Sequence, residues 1–181
     1  MIPGAGMLAR TRQRHDRLAG GFTLIDLLVT MTIIAVMAAV LLPRMNTNGR
    51  LRLMAGSRIL ASDIEMAQIM TISNPAKPIV VKFDPAQSTY WLATSADPDT
   101  PIHRPGAAQP YKVVFGSGRG RTAKDVTFAL TDLDENTLTF NEQGGILDPT
   151  TEPQIKLMQG SRWITLSVST MTGSISETSG G

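Results

Sequence analysis

Residues 20–43 read GGFTLIDLLVTMTIIAVMAAVLLP, a pair of glycines followed by an apolar run that ends at a proline. From Phe22 to Pro43 the only charged side chain is that of Asp26. As an α-helix this run would be about 33 Å long, enough to cross a bilayer core of about 30 Å. The sequence therefore predicts a membrane-spanning helix over residues 22–43.

The lone acid in this run needs a partner. A carboxylate inside a membrane segment is costly unless a cation or hydrogen bonds satisfy it. Residues 22–43 contain no Lys, Arg or His, so the partner must come from elsewhere. One candidate is the amino group that cleavage after Gly21 would create on another copy of the chain. We therefore expect Asp26 to act in subunit assembly.

The basic leader, Gly21 and the following FTLIDLLVT together resemble the N-terminal signal of type IV pilins and type II secretion pseudopilins. The resemblance implies that a prepilin peptidase cuts between Gly21 and Phe22 and methylates the new N-terminal residue, Phe22. It also implies that Asp26 takes the place of a glutamate that usually pairs with the terminal amine of a neighbouring subunit. The helices would then stack into a filament.

Two other interpretations of the N-terminal region compete with this one. A secretory signal peptide also has a basic start and an apolar core, and Val36-Met37-Ala38 could supply its small-residue cleavage site. An unprocessed membrane anchor would explain the apolar run. It gives no reason, however, for the glycine pair or for Asp26.

Charge is concentrated in the leader. Residues 1–21 carry four arginines against one aspartate, a net charge of +3, whereas the whole chain is +2, which leaves −1 for residues 22–181. Basic residues that flank a membrane segment stay on the cytoplasmic side. We therefore expect a single-pass inner-membrane protein with a cytoplasmic leader and a periplasmic head, which later enters a pseudopilus. The bulk charge gives no support to nucleic-acid binding.

Length and composition predict one modest domain after the membrane segment. The expected parts are a leader at 1–21, a membrane or filament-core helix at 22–43, an amphipathic helix continuation at 44–74 and a β-rich head at 75–181. Cysteine is absent, so the head must be stable without disulfides.

The helix is expected to continue beyond a kink. Pro43 removes a backbone donor, and the following residues 46–49 have poor helix propensity, which predicts a bend there. Apolar residues then recur on one helical face. This face consists of Leu53, Leu60, Ile64, Ala67 and either Met70 or Thr71.

The remaining chain predicts an antiparallel sheet against which the helix packs. Alternating or β-branched runs separated by Pro, Gly, Asp and Asn indicate strands; they lie at 79–83, 89–93, 112–115, 126–130, 137–140, 154–158 and 163–169. The proline-rich segment 96–110 is interpreted as a long surface loop. The predicted fold is α+β and pilin-like.

The segments 60–68, 78–83, 138–145 and 164–173 resemble the GspH/FimT group of minor pseudopilins and related minor pilins. Members of the group often have arginine where this chain has Gln68 and Ser174. The resemblance implies a minor pseudopilin of a type II secretion pseudopilus. The alternative is a FimT-like minor pilin that binds DNA in natural transformation.

The DNA-binding alternative depends on a Gly-Arg-x-Arg stretch, which residues 118–121 match. Arg119, Arg121 and Lys124 could contact phosphates, although such contacts would be sequence-independent and sensitive to salt. Their position, about 60 residues before the C-terminus, differs from that of the family site. A solvated hairpin tip is therefore the favoured interpretation of this stretch.

No catalytic arrangement is present, so the chain is predicted to be a structural protein without cofactor or metal. The acidic run 131–136 is interpreted as a solvated turn rather than a calcium loop. Trp91 and Trp163 are expected to be core residues. The expected partners are the prepilin peptidase, other pseudopilins or pilins, an inner-membrane assembly platform and membrane lipid.

Overall fold

The computed structural model describes residues 23–41, 47–147 and 151–181. The chain divides into two compact units, residues 1–44 and residues 45–181. Helices come first and antiparallel β-sheets follow, so the predicted α+β architecture is confirmed.

Helix α1, Leu24–Leu41, belongs to the first unit. Its sequence contains neither glycine nor proline, so no residue within it interrupts the hydrogen-bond ladder. The side chain of the preceding residue, Thr23, accepts a hydrogen bond from the first turn.

Helix α2, Thr47–Ser73, belongs to the second unit. The predicted inward face is confirmed, because Leu53, Leu60, Ile64 and Ala67 are each at most 1 % exposed. Thr71 completes this face, and its hydroxyl accepts a hydrogen bond of 2.9 Å from the backbone N–H of the first strand. The end of α2 is therefore tied to the start of the sheet.

The described residues form nine strands. These are β1 (Ile79–Asp84), β2 (Thr89–Thr94), β3 (Asp97–Pro101), β4 (Lys112–Val114), β5 (Thr127–Thr131), β6 (Thr137–Thr139), β7 (Gln154–Gln159), β8 (Arg162–Val168) and β9 (Ile175–Gly180). Seven of them overlap the predicted strands. Strands β3 and β9 were not predicted from the sequence.

The strands are arranged in two antiparallel sheets, whereas the sequence was interpreted as one. The first has the order β3-β2-β1-β6, with β4 also paired to β2. The second has the order β5-β7-β8-β9. In the register of β7 with β8, Ile155 lies opposite Leu166, and both side chains are fully buried.

A single core lies between α2 and the two sheets, since α2 packs on β1, β7 and β8. Aromatic rings join the sheets across this core. The ring centroids of Phe83, from β1, and Phe128, from β5, are 5.9 Å apart in an edge-on arrangement. Phe128 in turn lies 5.6 Å from Phe115. Edge-on packing at these distances is favourable for aromatic pairs.

The two unpredicted strands lie at sheet edges. Strand β3 contains Pro98 and Pro101, which an edge strand tolerates because one of its sides needs no donors. The prediction of a loop throughout 96–110 is therefore wrong for this segment. Strand β9 has the sequence ISETSG and is mostly exposed, so it lacks the apolar alternation by which a half-buried strand is recognised.

Candidate functional site

The surface of α1 is apolar on every side. Its large aliphatic and methionine side chains are 49 to 82 % exposed; they are Leu24, Ile25, Leu27, Leu28, Val29, Met31, Ile33, Ile34, Val36 and Met37. A helix that is hydrophobic all round is normally surrounded by other apolar groups, either protein or lipid. This surface is therefore suited to packing with other helices or with acyl chains.

Asp26 and Thr23 form a reciprocal cap at the start of α1. The backbone N–H of Asp26 donates to Oγ1 of Thr23 at 3.3 Å. In return, Oδ2 of Asp26 accepts from the backbone N–H of Thr23 at 3.2 Å and from its hydroxyl at 2.8 Å. This is a capping box, in which the carboxylate lies at the electropositive end of the helix.

The other polar side chains of α1 bond to its own backbone. The hydroxyl of Thr30 donates to the carbonyl of Leu27 at 2.9 Å. The hydroxyl of Thr32 donates to the carbonyls of Leu28 and Val29 at 2.9 and 2.8 Å. Both threonine hydroxyls are therefore satisfied within the helix, so these residues add no unpaired polar group to its surface. Asp26 is the one ionisable residue of α1.

The other residues predicted for this site, Gly21, Phe22 and Pro43, lie outside the described residues. The predicted cleavage, the methylation and the kink therefore stay predictions. Among residues 23–41, 47–147 and 151–181, no helix has both the length and the apolarity required of a membrane span.

Residues 16–42 match the family model described as the prokaryotic N-terminal methylation motif. This motif indicates a type IV pilin-like or pseudopilin-like substrate of prepilin peptidase, with a membrane-anchored N-terminus. It also implies assembly with other pilin-like subunits, which is a structural role. No curated protein and no solved structure matches the chain significantly.

The second unit contains a buried polar cluster centred on Asp63 of α2. Its Oδ2 accepts a hydrogen bond from the Tyr90 hydroxyl at 2.7 Å, and its Oδ1 accepts one from the Tyr111 hydroxyl at 2.9 Å. Nη1 of Arg119 lies 2.7 Å from the same Oδ1. Asp63 is fully buried, so the arginine and the two hydroxyls stabilise a charge that water does not reach.

The environment of the cluster changes the acidity of its members. Burial, followed by the charge of Asp63, raises the pKa of Tyr90 well above its ordinary value of 10.0. Burial also raises the pKa of Tyr111. Burial alone would lower the pKa of Arg119, but the Tyr111 hydroxyl and the Asp63 carboxylate together raise it. The cluster therefore holds two neutral tyrosines and one ion pair.

The interpretation of residues 118–121 as a hairpin tip is wrong, although the side chain of Arg119 is still 35 % exposed. Residues Gly118–Ala123 form a 3₁₀ turn that packs against α2, and a side chain at Gly120 would collide with the carbonyl oxygen of Val114. This close packing holds Arg119 over Asp63. Arg121 and Lys124 are exposed.

Gln68, the residue noted as replacing a family arginine, connects three parts of the head. Its Nε2 donates to the carbonyl of Gly144 at 2.7 Å and to that of Thr172 at 2.8 Å. These carbonyls lie in the loop after β6 and in the loop between β8 and β9. A neutral amide therefore holds two loops against the end of α2, which the sequence did not predict.

Trp91 and Trp163 were expected in the core but are half-buried on outer faces. Lys112 lies 5.5 Å from the ring of Trp91 and Lys156 lies 4.8 Å from that of Trp163, which are cation–π contacts. The acidic residues of segment 131–136 are exposed in a turn, as expected.

Proposed function

We propose that this chain is a minor pseudopilin, a structural subunit of a type II secretion pseudopilus. After prepilin peptidase cuts between Gly21 and Phe22 and methylates Phe22, the subunit enters the filament through its N-terminal helix. The observation that supports this most strongly is the match of residues 16–42 to the methylation motif. The resemblance of the head to the GspH/FimT group is the reason for proposing a secretion filament.

The surface of α1 supports an assembly role for this helix. Its exposed aliphatic side chains can pack with equivalent helices in a filament core, or with acyl chains before assembly. Asp26 is the exception on this surface. In the proposed mechanism, its carboxylate leaves the cap on Thr23, or shares that cap, to pair with the amino group of a neighbouring Phe22.

The pairing has an energetic rationale. An ammonium group and a carboxylate that meet among apolar helices attract each other strongly, because little water screens them. Without the partner, a buried carboxylate carries a penalty that discourages insertion of the subunit. Asp26 therefore favours incorporation of cleaved subunits over uncut precursors. The processing step becomes a checkpoint for assembly.

The DNA-binding alternative gains no specific support from Arg119, the first arginine of the Gly-Arg-x-Arg stretch. Arg119 already pairs with buried Asp63 at 2.7 Å, so it offers a phosphate only part of its hydrogen-bonding capacity. The partner class that we propose is therefore protein and lipid rather than nucleic acid. A gel-shift titration of residues 45–181 with double-stranded DNA, repeated with Arg121→Ala, tests this conclusion.

Processing is tested by blocking the cleavage site. Replacement of Gly21 by leucine should leave uncut precursor, visible by its slower migration on a gel, and should abolish filament incorporation. Gly20→Leu is the neighbouring control. Normal maturation of the Gly21→Leu protein would contradict the proposed role of this residue.

A further inference from the structure

A group of cations surrounds the first turns of α2. Arg50 and Arg52 belong to the helix, Lys124 follows the 3₁₀ turn, and Arg162 begins β8. We refer to these four residues as the basic face. Arg50 and Lys124 are exposed, and the side chain of Arg52 is 37 % exposed.

Contacts between the elements show that the basic face is continuous. The side-chain amide of Gln159 donates to the carbonyl of Lys124 at 3.4 Å. A Cβ at Gly49 would lie 3.2 Å from Oε1 of that glutamine and 3.4 Å from Nη1 of Arg162. Arg50 and Arg162 line the same cavity of about 500 Å³. The four cations therefore surround one end of α2.

The carboxylates at this end do not balance the cations. Asp125 pairs with Arg52 at 2.9 Å, and Glu177 lines the cavity with Arg50. Among the side chains named here, two carboxylates therefore lie beside four cations. Arg121 adds a further exposed positive charge on the adjoining 3₁₀ turn.

An exposed apolar residue lies between the two arginines. Leu51 is 60 % exposed, with Arg50 and Arg52 as its sequence neighbours. This combination is typical of elements that lie at a lipid surface, where an apolar side chain enters the acyl boundary and long basic side chains reach the headgroups. Only residues 42–46 separate α1 from α2 in the sequence.

We propose that the basic face docks the head on anionic phospholipid headgroups while α1 is inserted in the bilayer. This inference rests on the membrane insertion contained in the proposed function, and it adds a specific lipid contact by the head. Leu51 enters the interface, and the surrounding cations bind phosphate groups. Entry into the filament then requires release of the head from the lipid surface.

The test uses the full chain reconstituted in vesicles. Because the sequence contains no cysteine, a Ser161→Cys variant can carry one environment-sensitive fluorophore beside Arg162. Met171→Cys, at an 85 % exposed site in the loop that Gln68 binds, carries the same fluorophore as the control. Vesicles of phosphatidylcholine alone are compared with vesicles containing phosphatidylglycerol.

We expect the Ser161 label to report a less polar environment only in phosphatidylglycerol vesicles, and the Met171 label to be insensitive to composition. Each cation removed should weaken docking about fivefold. The double variant Arg50→Glu and Lys124→Glu should therefore lose the response, which high salt should also abolish. The matched single variants are Lys124→Glu, which should weaken the response, and Lys77→Glu, an equal charge change at an exposed residue beyond the other end of α2, which should retain it.

An identical signal in both lipid compositions, or a full response from the double variant, would overturn the inference. A response that follows protein density and not lipid charge would instead indicate contact with a second subunit, and would also overturn it. Membrane insertion is measured separately by alkaline extraction. If alkaline treatment extracts the chain from the vesicles, the proposed function is contradicted. The response of the Ser161 label to phosphatidylglycerol still shows whether the head binds anionic lipid.

Discussion

Nη1 of Arg119 lies 2.7 Å from Oδ1 of Asp63, so a buried helix carboxylate holds the turn that carries the Gly-Arg-Gly-Arg stretch. The same nitrogen is 3.2 Å from the Tyr111 hydroxyl. The Gly-Arg-Gly-Arg sequence resembles a phosphate-binding stretch, but its first arginine also takes part in the internal packing of the head. This arginine stabilises the packing between α2 and the 3₁₀ turn.

Replacing Asp63 by alanine should destabilise the head by about 3 kcal/mol, because it leaves Arg119 and two buried hydroxyls without their acceptor. Urea denaturation of residues 45–181, which have their own core, measures this loss. Glu65→Ala removes an exposed acid from the same helix and should cost little. Equal stability of the two variants would show that the Asp63 cluster is not structural.

The raised pKa of Tyr90 predicts a dependence of stability on alkaline pH. Since the hydroxyl holds its proton more tightly in the folded state, its contribution is fully present below about pH 10, the unfolded value, and is lost as the pH rises through the folded pKa. The free energy of unfolding should fall in that range by up to about 1.4 kcal/mol per pH unit for this group.

Tyrosinate absorbance provides the measurement, because Tyr90 and Tyr111 are the two tyrosines of the chain. The Tyr90→Phe variant should lose the later ionisation and show a weaker pH dependence of stability. Ionisation of both tyrosines near pH 10 in the folded protein would contradict the cluster geometry.

Gly173 is predicted to resist substitution for two separable reasons. Its φ is +66°, and a Cβ would collide with the carbonyl oxygen of Gly144 and the amide nitrogen of Gln68. Gly160 has a similar φ of +60° but open space around it. We expect Gly160→Ala to cost about 1 kcal/mol from backbone strain alone, and Gly173→Ala about 3 kcal/mol.

The comparison of the two glycine variants by thermal or urea denaturation separates the effect of the collisions with Gly144 and Gln68 from that of backbone strain. A Gln68→Ala variant should lower stability as well, since two loop carbonyls lose their donor. If Gly173→Ala lowered the free energy of unfolding no more than Gly160→Ala, the close packing of Gly173 against Gly144 and Gln68 would be contradicted.

For Asp26, the proposed pairing predicts that Asp26→Asn lowers filament incorporation by about tenfold, the effect of losing about 1.4 kcal/mol of interaction. Asp26→Glu keeps the charge and should retain incorporation. Thr30→Val, which changes a self-bonded hydroxyl of the same helix, is the control for altered polarity. Sheared filaments from the native host are compared by immunoblot, and unchanged incorporation of Asp26→Asn would refute the pairing.

The helix faces and most strands could be predicted because their signals are local. The spacing of Leu53, Leu60 and Ile64 identifies the buried face of α2 without knowledge of its partners. Strand β7 is likewise evident from its alternation. The two edge strands were missed because β3 contains prolines and β9 is polar, and both depend on neighbouring strands for their pairing.

Local sequence patterns could not predict the division into two sheets or the cluster around Asp63. Asp63 is three residues after Leu60 and so lies on the inward face by spacing, but an acid is normally exposed. Its burial depends on Tyr90, Tyr111 and Arg119, which are 27 to 56 positions later in the chain. Long-range hydrogen bonds leave no periodic signal. The N-terminal motif was recognisable because its residues are contiguous.

The central claim, processing at Gly21 followed by assembly through α1, is tested most directly by mass spectrometry of the protein isolated from its native host. We predict a mature chain that begins at Phe22 and carries one methyl group on its terminal nitrogen. A chain that still begins at Met1, or one that begins beyond residue 43, would contradict the account.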